Sequence, residues 1–206
     1  MIMRKIVLIR YLPVLLILSG ITITGCINLK PRPDSTRYFV LGTTGDSSAP
    51  VTSTGTITVG IRSFSIAPYL DSPRIATRVE GVEITYSANS RWGEPLKQAI
   101  QKKMVAELGS SSAIGHAYGL PWPSNADPSR TLEISVDNFE GQSDGIVVAA
   151  ISWTVFDSDG LILKRGTARE EVPGWIPGEY RDLVLKLNQA LSSATARIAA
   201  SVESTG

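Results

Sequence analysis

The chain has 206 residues, 43% of them hydrophobic, with 20 Lys and Arg against 19 Asp and Glu. That balance, without clustered cations, argues against a nucleic-acid surface, and the length suits one domain with a real core. One cysteine and one histidine exclude an intramolecular disulfide, a cysteine-based metal site and a multi-histidine zinc site.

Residues 1–10 carry Arg4, Lys5 and Arg10 and no acid, and residues 11–23 form an apolar run. A basic start with a short apolar core is the layout of a secretory signal peptide. The run is shorter than the about 20 residues of a spanning helix, and Pro13 and Gly20 weaken it further. It ends at Ile23-Thr24-Gly25-Cys26, which resembles the bacterial lipobox. That pattern implies diacylglyceryl transfer to the Cys26 thiol, cleavage before it, and acylation of the new amino group, with palmitate a typical chain. An ordinary cleaved leader with an incidental cysteine is the competing reading. Each buried CH₂ contributes about 0.8 kcal/mol, and stable anchoring takes about two chains. Ile27 stands where Asp would retain such a protein at the inner membrane, so the expected location is the periplasmic face of the outer membrane. The expected organisation is a leader over 1–25, a lipidated tether over 26–36 and one domain over 37–206.

In chain order, the tether holds Pro31 and Pro33 and reads as extended. Residues 37–42 read as a strand and 43–55 as a loop rich in Thr, Ser and Gly. Residues 56–63 alternate, with Ile57, Val59 and Ile61 on one face. Residues 67–73 form a proline-bracketed turn in which Tyr69 and Leu70 either pack underneath or present an apolar knob. A hairpin over 74–79 and 82–86 turns at Glu80-Gly81. A first helix is expected over 91–108, capped by Ser90 and stopped at Gly109. Pro95, tolerated only near the first turn, pins its start close to Trp92. Leu96, Ile100, Met104 and Leu108 form its apolar stripe.

Residues 118–128 read as a loop because of their prolines. Three strands follow, over 131–140, 146–157 and 161–172, turning at Asp144-Gly145 and Asp159-Gly160. In the middle strand Val147, Ala149, Ile151, Trp153 and Val155 share one face. A second helix over 179–201 carries Leu183, Leu187, Ala190, Leu191, Ala194 and Ile198. The whole predicts an α+β fold, a single and mainly antiparallel sheet with two amphipathic helices on one face.

Chemistry is sparse. His116 has no neighbouring carboxylate in sequence to orient it, and a His-dependent triad or metal site cannot be built around it. Glu170 and Glu171 point to opposite faces of their strand, and Asp157 and Asp159 are explained by turn chemistry. Neither a phosphate loop nor a dinucleotide fingerprint is present. The reading is non-enzymatic, without cofactor or metal. Trp122 either anchors a partner or caps the core edge, and both stand open.

Taken in order, several segments resemble the PqiC/YmbA-type auxiliary lipoproteins of bacterial lipid-transport systems. They are Tyr38-Phe39-Val40-Leu41, Tyr69-Leu70-Asp71-Ser72-Pro73-Arg74-Ile75 with Arg78, and Arg91-Trp92-Gly93-Glu94-Pro95-Leu96. Later come Pro121-Trp122-Pro123, Leu132-Glu133-Ile134-Ser135-Val136 with Phe139-Glu140, and Trp153. Gly93 departs from the Ala frequent in that motif. The resemblance implies an auxiliary component of an MCE/ABC-type system that docks a periplasmic conduit at the outer membrane. It implies an MCE-domain protein as partner, phospholipid or another hydrophobic molecule as cargo, and self-association into a ring or other homo-oligomer. Tyr69, Leu70, Arg91, Trp92 and Trp122 become candidate partner-binding or family-motif residues, beside Cys26 as the lipid attachment site. A lipid-carrying module with its own apolar pocket, and an assembly or pilot lipoprotein for another envelope machine, are the alternatives.

Overall fold

A computed structural model describes residues 34–42 and 55–205. The leader, Cys26, the tether up to residue 33 and the loop over 43–54 lie outside the described residues. The fold is that of the compact unit Ser35–Gly206.

In chain order the elements are β1 (Arg37–Phe39), β2 (Ile57–Ile66), a 3₁₀ turn (Pro68–Leu70), β3 (Arg74–Val79), β4 (Glu83–Trp92) and α1 (Leu96–Leu108). They continue with β5 (Ile114–Tyr118), β6 (Arg130–Gln142), β7 (Val147–Phe156), β8 (Ile162–Val172) and α2 (Tyr180–Glu203).

The long strand β6 is the spine of the sheet. One edge pairs antiparallel with β7, from Thr131↔Phe156 to Gly141↔Val147, and β8 extends that meander. The other edge is shared. Its first half pairs in parallel with β2, up to Ile66↔Val136. Ala67 then donates its N–H to the Val136 carbonyl at 2.9 Å, and Pro68 turns the chain away. The vacated end of β6 is taken by β3, through Thr77↔Gly141 and Arg78↔Gln142. Beyond β2 lies β5, in parallel; beyond β3 lie β4 and then β1. The sheet therefore forks on one side of β6.

Both helices pack on one face of the single sheet, as the pattern predicts. The stripes of α1 and α2 meet Val147, Ala149, Ile151, Trp153 and Val155 of β7 in one core. The antiparallel ladders are the longest, but the sheet is mixed, because β2 and β3 both join β6 in parallel. Turn chemistry is also as expected. Glu80 and Gly81 both take positive φ, 48° and 77°, which a tight primed hairpin requires.

Two local expectations change. The first helix starts at Leu96, with Pro95 as its N-cap. Arg91 and Trp92 instead end β4, where the Trp92 N–H donates to the Pro73 carbonyl at 2.8 Å. Residues 87–90 (Ser-Ala-Asn-Ser) lack apolar alternation; they bulge from the β3 ladder between Tyr86↔Ala76 and Arg91↔Arg74, and the strand resumes as Ser90, Arg91 and Trp92 pair with β1. Strand β5 was not anticipated. It lies between β2 and α1, and His116 sits in it with its ring edge-on to Tyr118 at 4.4 Å.

Candidate functional site

The motif residues converge where the sheet forks. In the 3₁₀ turn, Pro68 at the first position fixes the backbone, Leu70 drops into the core at 2% exposure, and Tyr69 lies half-buried across the end of β6. A bulge between Val136 and Asn138 adds one residue to β6 and resets which side chains face the turn. Asn138 and Glu140 then point at Tyr69, and Arg78 reaches in from β3.

Glu140 is completely buried. Its Oε1 accepts from Arg78 Nε at 2.8 Å and Asn138 Nδ2 at 3.0 Å. Its Oε2 accepts from the Phe139 N–H at 2.6 Å and the Tyr69 hydroxyl at 2.8 Å. Arg78 also donates to the Tyr69 oxygen at 3.2 Å, and its guanidinium lies 5.4 Å from the Tyr69 ring centre. Burial first, and then the adjacent Glu140, push the Tyr69 hydroxyl up to about 12. The hydrogen bond to Glu140 raises Arg78 above its ordinary value. Each carboxylate oxygen of Glu140 accepts two hydrogen bonds, so the group acts as a clamp. It ties turn, β3 and β6 together beside a β3–β6 ladder only two residues long.

The second motif stretch adjoins the first. Trp92 bonds Pro73 as described, Gly93 donates its N–H to the Phe39 carbonyl at 2.7 Å, and Tyr86 donates its hydroxyl to the Tyr69 carbonyl at 2.9 Å. Trp92 is 6% exposed and belongs to the core; Arg91 is half-buried and stands opposite Arg74. Trp122 lies elsewhere. Its indole, together with the Pro128 ring, covers Gly60 and donates to the Ile61 carbonyl at 2.7 Å, leaving the side chain half-buried. The structure thus groups Tyr69, Leu70, Arg91 and Trp92 around the fork and leaves Trp122 at the far end of β2. Sequence reasoning noted Arg78 and Glu140 as motif letters but did not pair them. An acid at an inward-pattern position after a buried Phe was the available signal.

Among the described residues, grooves open on both faces of the fold. One, of about 520 Å³, lies on the sheet face away from the helices, among Ser63, Ser135, Ser152, Thr154 and Thr167. The other, of about 450 Å³, runs between the helices past Glu107, Ser192, Ala196, Ala199 and Glu203. Between sheet and helices the space is filled by side chains such as Met104, Leu183, Leu187 and Ile198. A lipid-carrying module would need an apolar pocket there.

A family model described as "ABC-type transport auxiliary lipoprotein component" matches residues 39–199. The intermembrane transport lipoprotein PqiC of Escherichia coli (strain K12) is 22% identical over 189 residues, covering 92% of this chain and 96% of that protein. Among solved structures, protein XCC0632 from Xanthomonas campestris aligns with a TM-score of 0.60 and 18% identity, over 80% of this chain and 90% of its own. A second crystal structure, of an uncharacterized protein, aligns with a TM-score of 0.65 and 22% identity, over 81% and 98%. These two structures share the fold.

Proposed function

Because this chain belongs to the ABC-type transport auxiliary lipoprotein family, we propose that it is a lipid-anchored, non-enzymatic docking subunit. In this reading Cys26 carries the acyl chains and holds the domain on the periplasmic face of the outer membrane. The domain seats the periplasmic conduit of an MCE/ABC-type system that moves phospholipids or other hydrophobic molecules. The observation that carries the reading is the family match across nearly the whole folded domain, preceded by a lipobox cysteine. The printed name of the E. coli relative, an intermembrane transport lipoprotein, supports the same role.

The physical form suits docking. Two or three acyl chains provide location, and the saturated Glu140 clamp provides a rigid domain. Tyr69, Arg91 and Trp122 retain exposed atoms for a partner, while Leu70 and Trp92 hold the surface from beneath. A photo-crosslinking side chain placed at Trp122 in cells tests the reading. Recovery of an MCE-domain protein on that crosslink is expected, and its absence while crosslinking works elsewhere on the domain counts against docking. Cys26→Ser should move the protein from membranes to the soluble periplasm; a variant that stays membrane-bound would sink the lipid-anchor part.

A further inference from the structure

We propose that Arg74 and Arg91, opposed on the sheet face away from the helices, form a two-guanidinium site for the phosphate of an anionic lipid headgroup. The Trp92 N–H donates to the Pro73 carbonyl, just outside the pair Arg74↔Arg91. That bond marks a non-hydrogen-bonded pair, the kind in which Cα atoms stand about 4.5 Å apart and opposed side chains come closest. Ile75 and Trp92 are core residues, so their neighbours Arg74 and Arg91 point to the other face. Tyr38 of β1 is in register with Arg91, shares that face and is 66% exposed. Tyr38, Arg91 and Arg74 therefore form a row across three strands.

Like charges directly opposed destabilise a ladder, and here no acid relieves them. Among the described residues neither guanidinium has an ion pair. Glu94, shortly after Arg91, is held by Lys102 at 3.4 Å. The Arg74 guanidinium lies 5.0 Å from the Tyr86 ring centre, a contact that steadies a cation without neutralising it. An oxyanion set between the two guanidiniums turns repulsion into attraction. Each guanidinium can then donate to one unesterified oxygen of a phosphodiester, in short charge-assisted hydrogen bonds. The Tyr38 hydroxyl offers a further donor in the same row.

The choice of a lipid as the source rests on the reading that Cys26 is acylated. Arg37 opens β1 11 residues after Cys26, so the row lies within about 40 Å of fully extended chain from the acyl groups. Headgroups are then the nearest dense array of phosphate. Two arginines at an anionic surface favour contact by about 30-fold. That is enough to turn a tethered domain towards the surface and too little to hold an untethered one. Trp122, at the far end of β2, stays free for a protein partner.

A titration of the full chain in neutral detergent, followed by the nitrogen-15 side-chain signals of its arginines, tests the site with or without an anchor. Dihexanoyl phosphatidylglycerol should shift the Arg74 and Arg91 signals together. Dihexanoyl phosphatidylcholine, whose own cation offsets the phosphate, and inorganic phosphate at matched ionic strength should each bind at least about tenfold more weakly. Arg74→Gln and Arg91→Gln should each weaken phosphatidylglycerol by about tenfold or more, and with it the shift at the remaining arginine, with unchanged circular dichroism. Absence of the shift, a shift at one arginine that survives loss of the other, or an equal response to phosphatidylcholine or inorganic phosphate would each overturn the proposal. Failure of the anchor reading shows separately, as a Cys26→Ser variant that stays membrane-bound.

Discussion

Glu140 is an ionisable group taken wholly out of water, and a buried carboxylate costs several kcal/mol unless it is paired and hydrogen-bonded. Here four donors offset that cost, and Arg78 is the charged one among them. Arg78→Met should therefore destabilise the domain by about 3–5 kcal/mol in urea unfolding at neutral pH. Arg78→Met with Glu140→Leu should recover most of the loss, since no charge is then stranded. A single variant as stable as wild type would refute the clamp. Tyr69 provides a pH signature. Its folded-state proton is held to about 12 against an ordinary 10.0, so the folded chain binds it more tightly than the unfolded chain does. That contribution is complete below pH 10 and is lost as pH rises from 10 towards 12. Alkaline titration of thermal stability should show this loss in wild type, and Tyr69→Phe should lack it.

At the scale of elements, the meander β6–β7–β8 rests on a close approach. Trp153 of β7 stands opposite Gly166 of β8, and a Cβ on Gly166 would fall 2.3 Å from the indole. Gly166→Ala should cost about 1–3 kcal/mol by overpacking, read as a lower Tm. Helix α2 is held by its fully buried stripe, so Leu187→Ala should cost about 2–5 kcal/mol; a loss well under that range would mean the helix is only loosely docked. These elements were legible because periodicity and Asp-Gly turns are local signals. The start of α1 and the extent of β4 were not, because Arg91 and Trp92 could continue either element. Hydrogen bonds from Trp92 to Pro73 and from Gly93 to Phe39, both distant in sequence, decided for the strand.

For the molecule as a whole, the compact unit begins at Ser35. A chain starting there should keep one cooperative unfolding transition with the Tm of the longer chain and should no longer associate with membranes. A broadened or lowered transition would show that earlier residues stabilise the fold. By itself the sequence determined the single sheet with two helices on one face, the meander, the hairpin at Glu80-Gly81 and the family motifs, because each is written in spacings of a few residues. Only the tertiary structure decided the fork at β6, the parallel seats of β2 and β3, the presence of β5 and the pairing of Arg78 with Glu140. Parallel ladders join segments far apart along the chain and leave no local pattern. The candidate site shares that property: Arg78 and Glu140 lie 62 residues apart, and a bulge, not periodicity, turns the carboxylate towards its donors.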